Sequence, residues 1–173
     1  SFTLRQVARL RMQAQGLIRP ATTLEGVVRR HLAMQGQDFR AARWAVGCRV
    51  PDTTAAELLQ AFDRGTIVRS WPMRGTVHLT AAEDLPWMLE LLGPRALSGV
   101  ERRWKQLGLS RERLERARAV AVERLSGGRA CTRGELAESF AEAGVAMEGQ
   151  QLYHAVWYLS QTGTLVQGPT RQG

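Results

Sequence analysis

The chain has 173 residues, 44% hydrophobic and 23% charged, the balance of a soluble globular protein with room for one or two cores. No apolar run approaches the ~20 residues that a membrane-spanning helix needs, and the first residues are amphipathic rather than the apolar stretch of a signal peptide. The formal charge is +8, and two lone cysteines, Cys48 and Cys131, argue against a disulfide framework or a zinc site.

The charge is uneven. Residues 1–50 carry nine Arg against two acids, a net +7, while residues 51–100 carry four Arg against six acids, a net −2. A basic N-terminal third favours a polyanion as partner, nucleic acid first. Lys105 is the single lysine, so a general arginine bias is an alternative source of part of this charge.

In chain order, Thr3 to Gln6 reads as a capping box opening a helix that ends at Gly16. Thr22-x-x-Glu25 reads as a second box, followed by Leu24, Val27, Val28, His31 and Leu32 at helical spacing. Gly36, between Gln35 and Gln37, breaks this helix, and Asp38 caps the next, roughly Phe39–Cys48, with Trp44, Ala45 and Val46 predicted to face inward. Thr54-x-x-Glu57 opens a further helix with Ala55, Leu58, Leu59 and Phe62 on one face.

A hairpin is predicted next. Two β-rich runs, Thr66–Trp71 and Thr76–Thr80, flank a turn at Pro72-Met73-Arg74-Gly75. Arg69, Trp71, Arg74 and His78 lie along it. A basic, aromatic hairpin after three helices has the order of a winged-helix domain over about residues 22–80; the plainer alternative is a structural hairpin that packs Trp71 into a core.

The second half repeats the theme. Leu85, Met88, Leu89 and Leu92 form a stripe stopped by Pro94, and Leu97, Val100, Trp104 and Leu107 form another. Ser110 caps a helix with Leu114, Ala117, Ala121 and Leu125 inward, and Thr132-x-x-Glu135 begins one ending at Gly144. The last helix, about Glu148–Thr162, buries Leu152, Ala155, Val156 and Leu159 and turns Gln150, His154, Trp157 and Gln161 outward. Thr164–Gln167 reads as a strand with no return strand, so a truncated piece of a longer protein is expected.

The helices in recognition position are poor readers of DNA sequence. The outward face of Thr54–Asp63 offers Glu57, Gln60 and Asp63, of which the two acids would repel phosphate; the outward stripe of the last helix is neutral and suits a face covered by another domain. Basic charge sits in residues 1–50 and on the wing, which favours contact with the DNA backbone, or recognition of a lesion, over a sequence-specific regulator.

Gln35-Gly36-Gln37-Asp38 after a helix, then the run Arg69–Leu79 (Arg-Ser-Trp-Pro-Met-Arg-Gly-Thr-Val-His-Leu), resembles the winged-helix DNA glycosylases typified by AlkZ and YcaQ. Leu10-Arg11 and Gly16-Leu17 are similar to that family's opening helix. The resemblance covers the whole chain as the N-terminal half of a protein about twice as long. It implies tandem winged helices and excision of alkylated bases, interstrand crosslinks included. It also implies that Gln35 and Gln37 are catalytic, as the Gln-x-Gln of the AlkZ branch; Gln13-Ala14-Gln15 repeats the spacing away from the catalytic place. The middle position is usually hydrophobic in that branch, and Gly36 departs from this, leaving the motif's rigidity open.

The chemistry suits two amides. Alkylation at purine N7 or N3 leaves a cationic base that departs without a general acid. What remains is to stabilise an oxocarbenium-like sugar and to aim a water at C1′, which glutamine carbonyls and NH₂ groups can do. No lysine lies near the motif, so a Schiff-base lyase is disfavoured.

The expected architecture is mainly α with small β-hairpins: tandem winged-helix (helix-turn-helix) domains, the second one truncated. The expected divisions are an N-terminal helix over 1–21, a first winged helix over 22–80, connecting helices over 81–109 and a second winged helix over 110–173. The expected function is hydrolysis of the N-glycosidic bond of alkylated purines, with Gln35 and Gln37 catalytic and Arg40, Arg43, Arg69, Trp71, Arg74 and His78 contacting DNA. The partner is damaged double-stranded DNA; a monomer in the cytoplasm, at the nucleoid, is expected, with no cofactor, metal or membrane. The alternatives are a non-enzymatic winged-helix DNA-binding protein and a purely structural or interaction domain.

Overall fold

Capping and the return of a hairpin onto a short strand set this fold. The structure, a computed structural model, describes residues 1–168. Its elements run α1 (Leu4–Ala14), α2 (Leu24–His31), β1 (Met34–Gln35), α3 (Phe39–Gly47), α4 (Ala55–Asp63), β2 (Ile67–Met73) and β3 (Thr76–Ala81). Then follow α5 (Leu85–Leu97), α6 (Glu101–Gln106), α7 (Arg111–Leu125), α8 (Arg133–Glu142) and α9 (Gly149–Gln161). The described residues are thus mainly helical with one small antiparallel sheet. No helix among the described residues is long and apolar enough to cross a membrane.

The boxes at Thr3, Thr54 and Thr132 form as expected, each cap accepting the N3 amide while the N3 side chain reaches back. The Thr22 box does not form. Thr23 caps α2 by accepting the Gly26 N–H at 3.0 Å, and Glu25 is drawn away to Thr66 and Arg64, at 2.8 and 3.3 Å. Nor does Gly36 end that helix: the left-handed Leu32, at φ 58°, ends it first, and the chain then runs extended as β1.

The chain divides into two units, residues 1–70, 76–85 and Gly168, and residues 71–75 with 86–167. In the first, α2 packs on β3, α3 and α4 around Val27, Val28, Ala42, Val46, Leu58, Phe62, Ile67 and Leu79. Trp44 does not join them and is 75% exposed, a correction to the predicted inward face. Ala42 and Val46, one helical turn apart, take the core side, and a residue two positions from each faces the other way.

The sheet order is β1-β3-β2, with Met34 opposite Leu79 and Gln35 opposite His78. The hairpin turn is Arg74-Gly75 alone, both with positive φ (53° and 68°), as in a two-residue turn that matches strand twist. Pro72, predicted in the turn, lies instead within β2, an edge strand where a missing N–H is tolerated.

In the second unit α7 packs on α8 and α9. Pro94 sits inside the last turn of α5 rather than stopping it. The predicted outward stripe of α9 is also revised: Trp157 and Gln161 are buried, and Gln161 Nε2 donates to the Trp71 carbonyl at 2.7 Å. His154 stacks edge-on between Tyr153 and Trp157; burial, and then the Arg103 charge, push its imidazole pKa below the ordinary value. Over Thr164–Gln167 no strand forms beyond an isolated bridge at Gln167, and the predicted missing return strand falls outside the described residues.

Candidate active site

Leu32 turns the chain out of α2, and Met34 then anchors β1 by burying its side chain in the core. Side chains alternate on an extended strand, so Gln35 and Gln37 share the face opposite Met34. Both glutamines are exposed, and Gly36 between them is buried.

Gly36 is held on three sides. Its N–H donates to the Val77 carbonyl at 2.8 Å, and its carbonyl accepts Arg69 Nη2 at 2.8 Å. A Cβ built on it would lie 3.0–3.2 Å from the backbone of His78 and Leu79. Its φ is not positive, so close approach to β3, rather than glycine's conformational freedom, is what this position needs. The motif is therefore not loosened by its glycine.

The Gln37 side chain turns back to the sheet, where its Oε1 accepts the Val77 N–H at 3.2 Å. An amide N–H partner fixes which end of the glutamine is oxygen, and so directs the NH₂ group away from it. Asp38 follows as the cap of α3, its Oδ1 accepting the Ala41 N–H at 3.0 Å. Phe39 then packs edge-on against Phe62, with the guanidinium groups of Arg69 and Arg43 over its ring at 4.7 and 5.3 Å. Burial pulls the Arg69 pKa below its ordinary value.

Residues 28–173 match the family model described as DNA glycosylase AlkZ-like. The chain belongs to the AlkZ-like DNA glycosylase family. It is similar in structure to the Streptomyces sahachiroi DNA glycosylase AlkZ, with a TM-score of 0.78 at 23% identity, over 99% of this chain and 47% of that one. At that identity the likeness establishes the fold. The chain spans about half the length of the Streptomyces protein. No curated protein matches the sequence.

In this AlkZ-like chain the expected DNA-contacting residues separate into three groups. Arg40 on α3 and Arg74 at the hairpin turn are exposed. Arg43 and Arg69 are half-buried against Phe39. Trp71 and His78 are 2% and 1% exposed, and His78 Nδ1 lies 2.8 Å from the Thr76 carbonyl oxygen, so neither ring is presented to a ligand. Their hydrophobic and hydrogen-bonding surfaces are used within the fold. The other Gln-x-Gln, Gln13 to Gln15, lies at the end of α1 and just beyond it, where Gln15 is the C-cap.

Sequence reasoning missed β1 as the third strand and the inward turn of Arg69. The signal for the strand was available: a lone Gly between two polar residues beside a predicted hairpin marks close backbone approach. Among the described residues no group of three His, Cys, Asp or Glu side chains is placed to hold a metal ion.

Proposed function

We propose that this chain contributes the catalytic strand of a DNA repair glycosylase that hydrolyses the N-glycosidic bond of alkylated purines, interstrand crosslinks among them. The carrying observation is the pair Gln35 and Gln37 on one exposed face, with Gly36 between them fastened to β3 and Arg69. The C1′–N bond breaks with its electron pair passing to the cationic purine, which neutralises the base. Water then adds to the sugar cation and releases its proton to solvent. The glutamine amides place that water and lie against the developing charge without supplying or removing a proton.

The element order over residues 24–81 supports a winged helix: helix, strand, two helices, then a hairpin whose second strand closes on the first strand. Arg40 and Arg74, both exposed, and the half-buried Arg43 supply positive charge for a DNA backbone. Lesion recognition in the cytoplasm belongs to this same proposal. A second reading, DNA binding without catalysis, draws on the engagement of Gln37 Oε1 by Val77, which leaves that oxygen less free for water.

Single-turnover release of modified base from duplexes carrying N7- or N3-alkylated purines, by the whole protein at saturating concentration, tests the proposal. Gln35→Ala and Gln37→Ala are expected to lower the rate by roughly 10²–10³, the scale of a lost oxyanion-type donor, with DNA binding intact. Salt-dependent DNA binding with no base released would favour the second reading.

A further inference from the structure

We propose that Arg69 is a positioning residue for the Gln35/Gln37 pair rather than a phosphate contact. This rests on the catalytic role given above to the two glutamines. The register that sets Met34 opposite Leu79 and Gln35 opposite His78 next sets Gly36 opposite Val77. In a regular antiparallel ladder such a pair exchanges two bonds, N–H to carbonyl in each direction. Here one survives, Gly36 N–H to Val77 O at 2.8 Å. In place of the other, the Val77 N–H donates to the side-chain oxygen of Gln37, and the Gly36 carbonyl accepts Arg69 Nη2.

Two substitutions are thus coupled. Gln37 takes the place in the ladder that the Gly36 carbonyl would fill, and Arg69 takes the carbonyl so released. The same guanidinium lies 4.7 Å from the centre of the Phe39 ring, two residues beyond Gln37. Arg69 therefore grips the chain on both sides of Gln37, at Gly36 and at Phe39. β1 itself is two residues long, so few ladder bonds fix the motif without this grip. A planar guanidinium can stack on a ring and donate in its own plane at once, which an ammonium cannot.

The experiment compares Arg69→Met and Arg69→Lys in the whole protein. Backbone amide exchange without DNA is read at Gly36 and Val77; single-turnover rate, DNA affinity and its salt slope are read with an alkylated duplex. Expected are exchange at both amides at least about tenfold faster with α7 amides unchanged, and a rate lower by roughly 10- to 100-fold, the scale of a small misplacement of reacting groups. Affinity and salt slope should stay close to the parent's for both variants, with the rate lowest for Met. Weakened affinity and a shallower salt slope for Met, restored by Lys, with exchange unchanged, would make Arg69 a phosphate contact and overturn the proposal. If Met unfolds the protein, the Lys variant carries the same readouts. If Gln35→Ala and Gln37→Ala keep full activity, the catalytic reading fails, and amide exchange still decides whether Arg69 holds the strand.

Discussion

Gln37 Oε1 accepts the Val77 N–H at 3.2 Å, whereas no hydrogen bond engages the Gln35 side chain among the described residues. The two glutamines of one motif are therefore unequal before any substrate arrives. The Gln37 side chain is tied to β3 through its oxygen. Gln35 is free to accept or donate.

This asymmetry predicts different costs for the two alanine variants. Gln37→Ala leaves the Val77 N–H, on a buried residue, without its acceptor, which costs about 1–3 kcal/mol. Gln35→Ala should unfold at the same urea concentration as the parent. Equal urea midpoints for the two variants would show that the Gln37–Val77 bond contributes nothing in solution.

Gly36→Ala should destabilise the first unit by about 1–3 kcal/mol, the usual cost of forcing atoms into close-packed structure. The added methyl meets backbone of His78 and Leu79 at 3.0–3.2 Å, and backbone cannot swing aside as a flexible side chain does. Thermal melting measures the loss. A variant as stable as the parent would mean that β1 and β3 separate easily.

Much of this arrangement was legible from sequence, and the failures have physical causes. Capping boxes were readable at Thr3, Thr54 and Thr132 because a box is satisfied within four residues. The Thr22 box failed because its Glu25 has partners about forty residues away in sequence, Thr66 and Arg64, which no local pattern reveals. The same holds at the site. The positions of Gln35 and Gln37 were readable, but β1 is two residues long and exists through pairing with β3. Trp71 and His78 were placed on the DNA-facing wing because aromatic and basic residues on a hairpin suggest contact. Their burial depends on packing that hairpin composition does not encode.

Arg74 occupies a left-handed position, φ 53°, that favours Asn or Gly. Arg74→Asn should raise stability by up to ~1 kcal/mol, part of what left-handed backbone costs an ordinary side chain. The same change removes an exposed cation at the turn, so DNA affinity should fall as stability rises. Paired melting and binding measurements check this; a drop in both would show that the arginine side chain helps hold the hairpin.

Glu25 supplies a pH dependence. Burial raises its pKa, but hydrogen bonds from Thr66, its own backbone and Arg64, with the Arg64 charge, outweigh that and hold the carboxyl below its ordinary value. A carboxyl whose folded pKa is depressed adds stability above its unfolded pKa and loses it as pH falls through the folded one. The stability gap between parent and Glu25→Gln should therefore be present at neutral pH and close as the solution becomes more acidic than the folded pKa. Urea midpoints across that range measure it, and a gap that widens toward acid would refute the assignment.

The salt dependence of DNA binding separates the exposed arginines from the enclosed one. Each phosphate neutralised by a cation adds about 0.9 to the slope of log affinity against log salt on duplex DNA. Arg40 and Arg74 are exposed, while Arg69 spends Nη2 on the Gly36 carbonyl and its face on Phe39. Arg40→Ala and Arg74→Ala should each lower the slope by about one phosphate's worth and weaken binding similarly on damaged and undamaged duplexes. Arg69→Met should leave the slope near that of the parent. Titrations of the whole protein across low to moderate salt measure all three. If Arg40→Ala and Arg74→Ala bind as the parent does at every salt concentration, the DNA backbone meets a different part of the protein and both residues leave the proposed interface.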